Sequence, residues 1–420
     1  MAGTFINPTM VAKEALRQLK NNLVAAKYVH RGYEEEWKQR PNGFKIGSAV
    51  NIKAPVYFRV KEQAALDAVN VVERDITLTV GTRGQVSWPI TSQEMTLNID
   101  RFSQRFLKPA MQALANKIDV NVLNTMYKNV PNQVGSPGTT PHTYYTFAQA
   151  QARMSEEACP DDDRFCLINP QTMAKMSDSM KNLFQNQMVT KAISKGKISD
   201  RFAGFKLFES NNLPVHTNGT WASTCVPLVD DTVSEGDADF KMDQNGAGSD
   251  YTLLAGDYFT VGSVNSVNPI SGLSTGQSRG FVVTTNTLFA DIGGGDMEVT
   301  PVIIPGTDPY FLRSGSSTED YLPYQNLSAL PGNNAAITVA GTTGQVYPIN
   351  MAFHKDCLAL AMVPLEMPLS AGWKAQESYD GLTIRVIRDY DITNDQEYIR
   401  FDVLYGMQVV NPMLACRIAG

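Results

Sequence analysis

The chain has 420 residues, a net charge of −6 and 19% charged residues, against about 25% in an ordinary soluble domain. That length holds two or three domains and a large core. The charge balance leaves no basic footprint and excludes sequence-specific nucleic-acid binding as the main task, and so few charges suit a surface largely covered by other chains. Five cysteines, an odd number without paired spacing, read as reduced thiols of a cytoplasmic protein. The opening MAGTFINPTMVAKEALRQLK has no apolar signal core. The longest apolar run, Cys357 to Val363, is too short to span a membrane. Without secretion the Asn218-Gly219-Thr220 sequon has no meaning.

Residues 8–30 are predicted helical, because Val11, Ala15, Leu19, Leu23 and Ala26 share a face and Thr9 can cap the start. A charged stretch, Tyr33 to Arg40, ends at Pro41-Asn42-Gly43. Residues 46–99 read as extended structure: AVNIKAP and RDITLTV alternate, and TRGQVSWPI adds a turn and a strand. Between them Arg59 to Asn70, rich in polar and small residues, reads as the tip of a long hairpin. Arg59, Lys61, Glu62 and Asp67 suit a polar contact with a neighbouring subunit.

The most informative segment is Met95 to Val130. A short alternating strand (Met95, Leu97, Ile99) feeds a long helix whose apolar positions, Leu107, Met111, Leu114, Ile118, Val122 and Met126, fall on one stripe. Asp100 or Ser103 can cap it, and Pro109 should kink it or mark its true beginning. An ordinary core helix of an α/β enzyme is the other reading of this segment.

After a loop from Val134 to Pro141 an α/β rhythm appears. Thr146 is placed as the cap of a helix to Ala158, Arg164 to Ile168 as a buried strand, and Asn169-Pro170 as the start of a helix through Phe184. Strands and a turn close this part. From Gly219 to about Val346 no amphipathic helix is visible. Short alternating runs such as YFTVGSV, GFVVTT and MEVTPVII give an all-β pattern. No Asp, Glu, Lys or Arg occurs from Tyr321 to His354. From Tyr347 the α/β character returns, with FHKDCLALAMVPLEMP as helix or strand and two strand segments at the end.

Chemical motifs are sparse. Gly272-Leu273-Ser274-Thr275-Gly276 matches the nucleophile-elbow spacing, but that elbow needs a helix after it and QSRGFVVTT is strand-like. A serine hydrolase would require Ser274 at a cleft mouth with His354 nearby. Asp161, Asp162 and Asp163, after Cys159-Pro160, read as a solvated turn rather than a metal site. Cys159 and Cys166 lack zinc spacing. His30, His142, His216 and His354 are scattered, and neither a P-loop nor a dinucleotide fingerprint is present. No catalytic, cofactor-binding or metal residue is therefore assigned, and no cofactor.

With catalysis unsupported, the ordered wording of the chain carries the reading. TSQEMTLNIDRFSQRFLKPAMQALANKID, CLINPQTM, FAGFKLFESNNLPVHT, GDYFTVGSVNSVNPISGLSTGQSRGFVVT, AAITVAGTTGQVYPINMAFHKDCLALAMVPLEMP and DVLYGMQVVNPMLACRIAG resemble, in that order, successive parts of tailed-phage major capsid proteins. The fold is the Hong Kong 97 type, in the Salmonella short-tailed phage coat family with an inserted β-domain. The resemblance implies an α+β fold: an N-terminal arm and helix (1–45), an extended loop (46–94), a spine helix with the peripheral domain (95–142), and an axial domain (143–219). An inserted all-β domain (220–346) and a return with C-terminal strands (347–420) complete it. It further implies a protein that is not an enzyme. Hexamers and pentamers would form an icosahedral shell around double-stranded DNA, with a scaffolding protein and a portal, no membrane, and assembly in the host bacterial cytoplasm. Some proteins of this fold cross-link through Lys and Asn side chains; no such pair is assigned here. A surface-layer or adhesin protein using the β-rich middle is the other alternative, and the missing signal core speaks against it.

Overall fold

The computed structural model describes residues 8–33, 48–58, 73–91, 103–179, 201–222, 226–230, 233, 238–245, 251–289, 295–303, 324–394 and 396–420. The chain divides into two compact units. The first is Met1–Ile52, Thr77–Val122 and Leu358–Gln408; the second is Lys53–Ile76, Leu123–Cys357 and Val409–Gly420.

In the first unit, helix α1 (Pro8–Asn22) buries Val11, Ala12, Ala15, Leu16 and Leu19 along one stripe. Pro8 opens it, where a missing N–H costs nothing, so Thr9 lies inside the helix rather than capping it. The helix ends at Asn22, short of the expected residue 30. There a side chain competes for the backbone: Asp119 accepts from Val24 N and Ala26 N, both at 2.8 Å. Leu23, Ala25, Ala26 and Val29 stay buried without helical geometry.

Helix α2 (Lys108–Asn129) has Pro109 as its second residue, so the proline marks the beginning. A π-helical turn, Ser103–Leu107, precedes it, so Ser103 opens that turn instead of capping α2. Asp100 and the expected strand at Met95, Leu97 and Ile99 lie outside the described residues. All six positions of the apolar stripe are buried; the division of the chain falls after Val122.

A six-stranded sheet completes this unit. It runs Ala49–Lys53, Asp75–Thr91, Gln396–Val409, Leu382–Asp391, Trp373–Tyr379, with Leu358–Val363 also paired to Gln396–Val409. The apolar run at 357–363, left open as helix or strand, is thus a strand. Alternation puts Phe401, Val403, Ile384 and Val386 on the buried face and Gln85, Asp402 and Arg385 side by side on the other. Helix α2 sits close over the sheet at Gly84. A Cβ there would stand 3.0 Å from Leu114 Cδ1 and 3.1 Å from Val403 Cγ2, so a larger residue at this crossing would push both side chains back.

The second unit holds a seven-stranded mixed sheet in the order Gln133–Gly135, Ala415–Ala419, Val346–His354, Arg164–Ile168, Phe205–Glu209, Arg201–Phe202, with Val215–Thr217 also on Val346–His354. The strand Arg164–Ile168 is buried at all five residues: Phe165 to Ile168 are a continuous apolar run, and the buried Arg164 donates to Pro160 O at 2.7 Å. Helices α3 (Tyr144–Glu156) and α4 (Pro170–Ser179) contribute Phe147, Ala150, Met154, Met173 and Met176 to one core cluster. Thr143, not Thr146, caps α3: its hydroxyl accepts from Thr146 N at 3.4 Å. The helix stops at Glu156, and the left-handed Ala158 (φ 58°) ends the turn beyond it. Helix α4 is described through Ser179, and Phe184 lies outside the described residues.

Six strands between Val226 and Val339 form a second sheet in the order Ile337–Val339, Tyr258–Val267, Ser274–Val283, Gly295–Thr300, Asp239–Asn245, Val226–Val229. Its two ends meet at a Leu228–Ala336 bridge, with Val229 N donating to Ala335 O at 3.0 Å. The sheet therefore closes on itself, which removes open edges. Phe240, Met242, Phe259, Val261, Phe281, Val283, Met297 and Val299 belong to its core. The described residues from 226 to 303 contain no helix.

Candidate functional site

Ser274 opens a ten-residue strand, Ser274–Val283, and is exposed. No helix follows it, so no nucleophile elbow exists there. Its hydroxyl accepts from Gly276 N at 3.3 Å. His354 ends the strand Val346–His354, where its Nδ1 faces Asp356 N at 3.2 Å and burial pushes its pKa down. Among the described residues no hydrogen bond joins a histidine ring to a hydroxyl or thiol. Asp161 to Asp163 are exposed, with Asp161 on Arg164 (3.0 Å) and Asp163 on Lys206 (2.8 Å). No metal-binding group of side chains is present among the described residues.

The four thiols among the described residues are equally inert. Cys159, Cys166, Cys357 and Cys416 are free and buried. Burial pushes Cys159 up to about 11 and Cys416 up to about 12, and raises the other two further. A nucleophilic cysteine needs the opposite shift. Arg59, Lys61, Glu62 and Asp67 all lie outside the described residues.

The polar side chains that the fold does gather are buried hydrogen-bonded and charged groups, of which the sequence analysis named only His216. On the polar face of the six-stranded sheet, Asp402 is the acceptor for three arginines. Arg385 Nη2 lies at 2.6 Å, Arg400 Nε at 2.7 Å and Arg83 Nη2 at 3.0 Å. Burial would raise this carboxyl, but the bonds from Arg385, Arg400 and Arg83 outweigh it and hold its pKa below the usual carboxylate range. Asp119 shows the reverse balance. Burial pushes it up to about 6, and its bonds from Ala26 N and Val24 N only partly oppose the shift.

In the second unit Glu157, at the end of α3, accepts from the fully buried Arg279 at 2.6 Å and lies 3.9 Å from Arg153. Arg153 also donates to Asn132 Oδ1 at 3.3 Å and to Ser278 O at 3.1 Å. His216 and Asp257 form a second buried pair at 2.7 Å. Asp257 also accepts from Leu254 N at 2.7 Å and Gly219 N at 3.1 Å. These clusters lack a nucleophile beside a base, which acyl transfer requires. What they can do is fix chain segments far apart in sequence: Glu157 to Arg279, His216 to Asp257, Arg83 to Asp402.

Sequence comparison then decides the class. The family described as "P22 coat protein - gene protein 5" matches residues 1–420. The chain belongs to the P22 coat protein family. This is a family of phage coat proteins, and the chain is accordingly a major capsid protein of a tailed phage, structural rather than enzymatic. Coat proteins of this family assemble as multimeric shells that form the virion capsid. Membership removes the hydrolase and adhesin alternatives. A curated relative, the major capsid protein of Acyrthosiphon pisum secondary endosymbiont phage 1, is 22% identical over 386 residues, covering 89% of each chain. Among solved structures, Mycobacterium phage Che8 matches with a TM-score of 0.48 and 12% identity over 94% of this chain and 90% of that one. The capsid of the cyanophage P-SCSP1u matches with a TM-score of 0.43 and 9% identity, over 89% and 84%. No described helix of this coat protein is long and apolar enough to cross a membrane.

Proposed function

We propose that this coat protein assembles as hexamers and pentamers into an icosahedral shell around double-stranded DNA, in the host bacterial cytoplasm, with the help of a scaffolding protein and a portal. The observation that carries this reading is the match to the coat family over residues 1–420. The net charge of −6 supports it further: a container for packaged DNA gains nothing from a strong grip on phosphates. A closed shell repeats a small set of interfaces many times, so each needs little free energy.

Within that reading the chain is divided as an arm (1–45), an extended loop (46–94), spine and peripheral parts (95–142), an axial part (143–219), an inserted all-β domain (220–346) and a return (347–420). The closed six-stranded sheet with its own apolar core supports the insertion. Expressed alone, residues 220–346 should unfold cooperatively and give a β-type circular dichroism spectrum; a disordered or strongly helical fragment would contradict the division. The loop tip from Arg59 to Asn70, with Arg59, Lys61, Glu62 and Asp67, is assigned to contact between subunits. Replacing it by a Gly-Ser turn should leave the melting temperature of the soluble monomer nearly unchanged and block or distort shells. Normal assembly of that variant, or a monomer that fails to fold, would remove the tip from this role.

A further inference from the structure

The strand Ala415–Ala419 sends Cys416 and Ile418 into the apolar cluster under α3 and α4. Alternation therefore turns Arg417 to the opposite side of the sheet. There its guanidinium carbon lies 5.8 Å from the centroid of the Tyr127 ring, with Tyr347, Tyr258 and Asp257 in its electrostatic surroundings. Arg417 is fully buried. Its Nε, Nη1 and Nη2 reach no carboxylate, carbonyl or other acceptor in good hydrogen-bond geometry among the described residues, and their one polar side-chain neighbour is the hydroxyl of the buried Tyr347, which lies against the guanidinium and has no other partner.

The neighbouring carboxylate, Asp257, is committed elsewhere. Asp257 gives one oxygen to His216 and the other to Leu254 N and Gly219 N. Arg417 thus has no ion pair among the described residues. A guanidinium cannot shed its proton to escape burial, and it carries five N–H donors and no acceptor. Buried donors find partners, and buried charges find counter-charges.

We propose that Arg417 and Tyr347 form a buried binding site for a small monovalent inorganic anion, chloride by size and abundance. The site is rich in donors: five guanidinium N–H groups and the Tyr347 hydroxyl, with Tyr127 and Tyr258 close by. A water molecule would satisfy some of those donors and leave the charge uncompensated. A spherical anion does both, accepting from several directions at once. The inference is independent of how the shell is built.

The test is thermal unfolding of the purified full-length protein at fixed ionic strength, with sodium gluconate replaced stepwise by sodium chloride. A ligand that binds only the folded state raises the midpoint with the logarithm of its concentration above its Kd. The midpoint should therefore climb with chloride and with bromide. Tyr347→Phe should weaken that dependence, and Arg417→Met should abolish it. Equal midpoints in gluconate and chloride, or an unchanged chloride dependence in Arg417→Met, would overturn the site. Should Arg417→Met fail to fold, crystals of the wild-type chain grown in sodium bromide decide the matter. An anomalous bromine peak at hydrogen-bond distance from the guanidinium supports the site, and density of water alone there overturns it.

Discussion

Leu114 and Ile118 on α2, and Glu157 with Arg279 in the second unit, are buried to the same degree: 3% and 0% exposed against 3% and 0%. The physics that keeps them there differs. Each aliphatic side chain gains about 1.5–3 kcal/mol by leaving water, whichever apolar neighbours it meets. The ion pair gains little or nothing over an apolar pair of the same shape, because both charges were stripped of water. Its value lies in direction: Arg279 accepts no substitute for Glu157, so the end of α3 is fixed to the strand Ser274–Val283 at one place. Apolar burial holds the first region by amount, and paired charge holds the second by position.

The sharpest way to break this comparison is to remove one charge. Glu157→Ala leaves Arg279 buried and unpaired and should cost about 3–5 kcal/mol in chemical denaturation. The double change Glu157→Leu with Arg279→Met should cost clearly less than the single one. A double variant as unstable as Glu157→Ala would show that the pair holds the region by amount after all. On the apolar side, Leu114→Ala should cost about 2–5 kcal/mol, the span set by how far the packing against Gly84 and Val403 can relax. A loss below 1 kcal/mol in the same experiment would place Leu114 outside the core.

The legibility of the sequence follows the same divide. Period 3.6 marked the α2 stripe, and all six of its positions are buried. Period 2 marked the strands of the closed sheet. Helix ends were less legible: α1 stops at Asn22 because Asp119 of α2, 93 residues from Ala26, takes its backbone donors. Asp119 itself reads as an ordinary surface carboxylate beside Ile118, and nothing in its spacing announces a buried partner. The Arg279–Glu157 contact spans 122 residues, and Arg417 sits in an alternating strand like any surface arginine. Apolar residues report their own burial; a buried charge is identified by partners that only the folded chain brings near.

Asp119 sharpens the comparison with pH. Burial lifts its folded pKa to about 6, above the ordinary aspartate value of 3.8. Its contribution is therefore complete below about pH 4 and is lost as pH rises toward 6. At about 1.4 kcal/mol per pK unit, the loss amounts to up to about 3 kcal/mol. Stability of wild type minus that of Asp119→Asn should fall across this window when unfolding is measured at pH 4, 5, 6 and 7. A flat difference would mean that the two backbone bonds fully offset burial. The smallest effect belongs to Ser274→Ala. An exposed hydroxyl at the start of a strand should change stability by less than about 0.5 kcal/mol and leave assembly as it was. Loss of a defined hydrolytic activity in that variant would return the chain to the enzymes.

The central claim, that this chain is the repeating unit of a closed phage shell, is tested most directly by electron microscopy of the expressed protein. The expected result is closed icosahedral particles or capsomer rings built of this chain. Globular particles of single-chain size, or flat sheets, under the same conditions would contradict it.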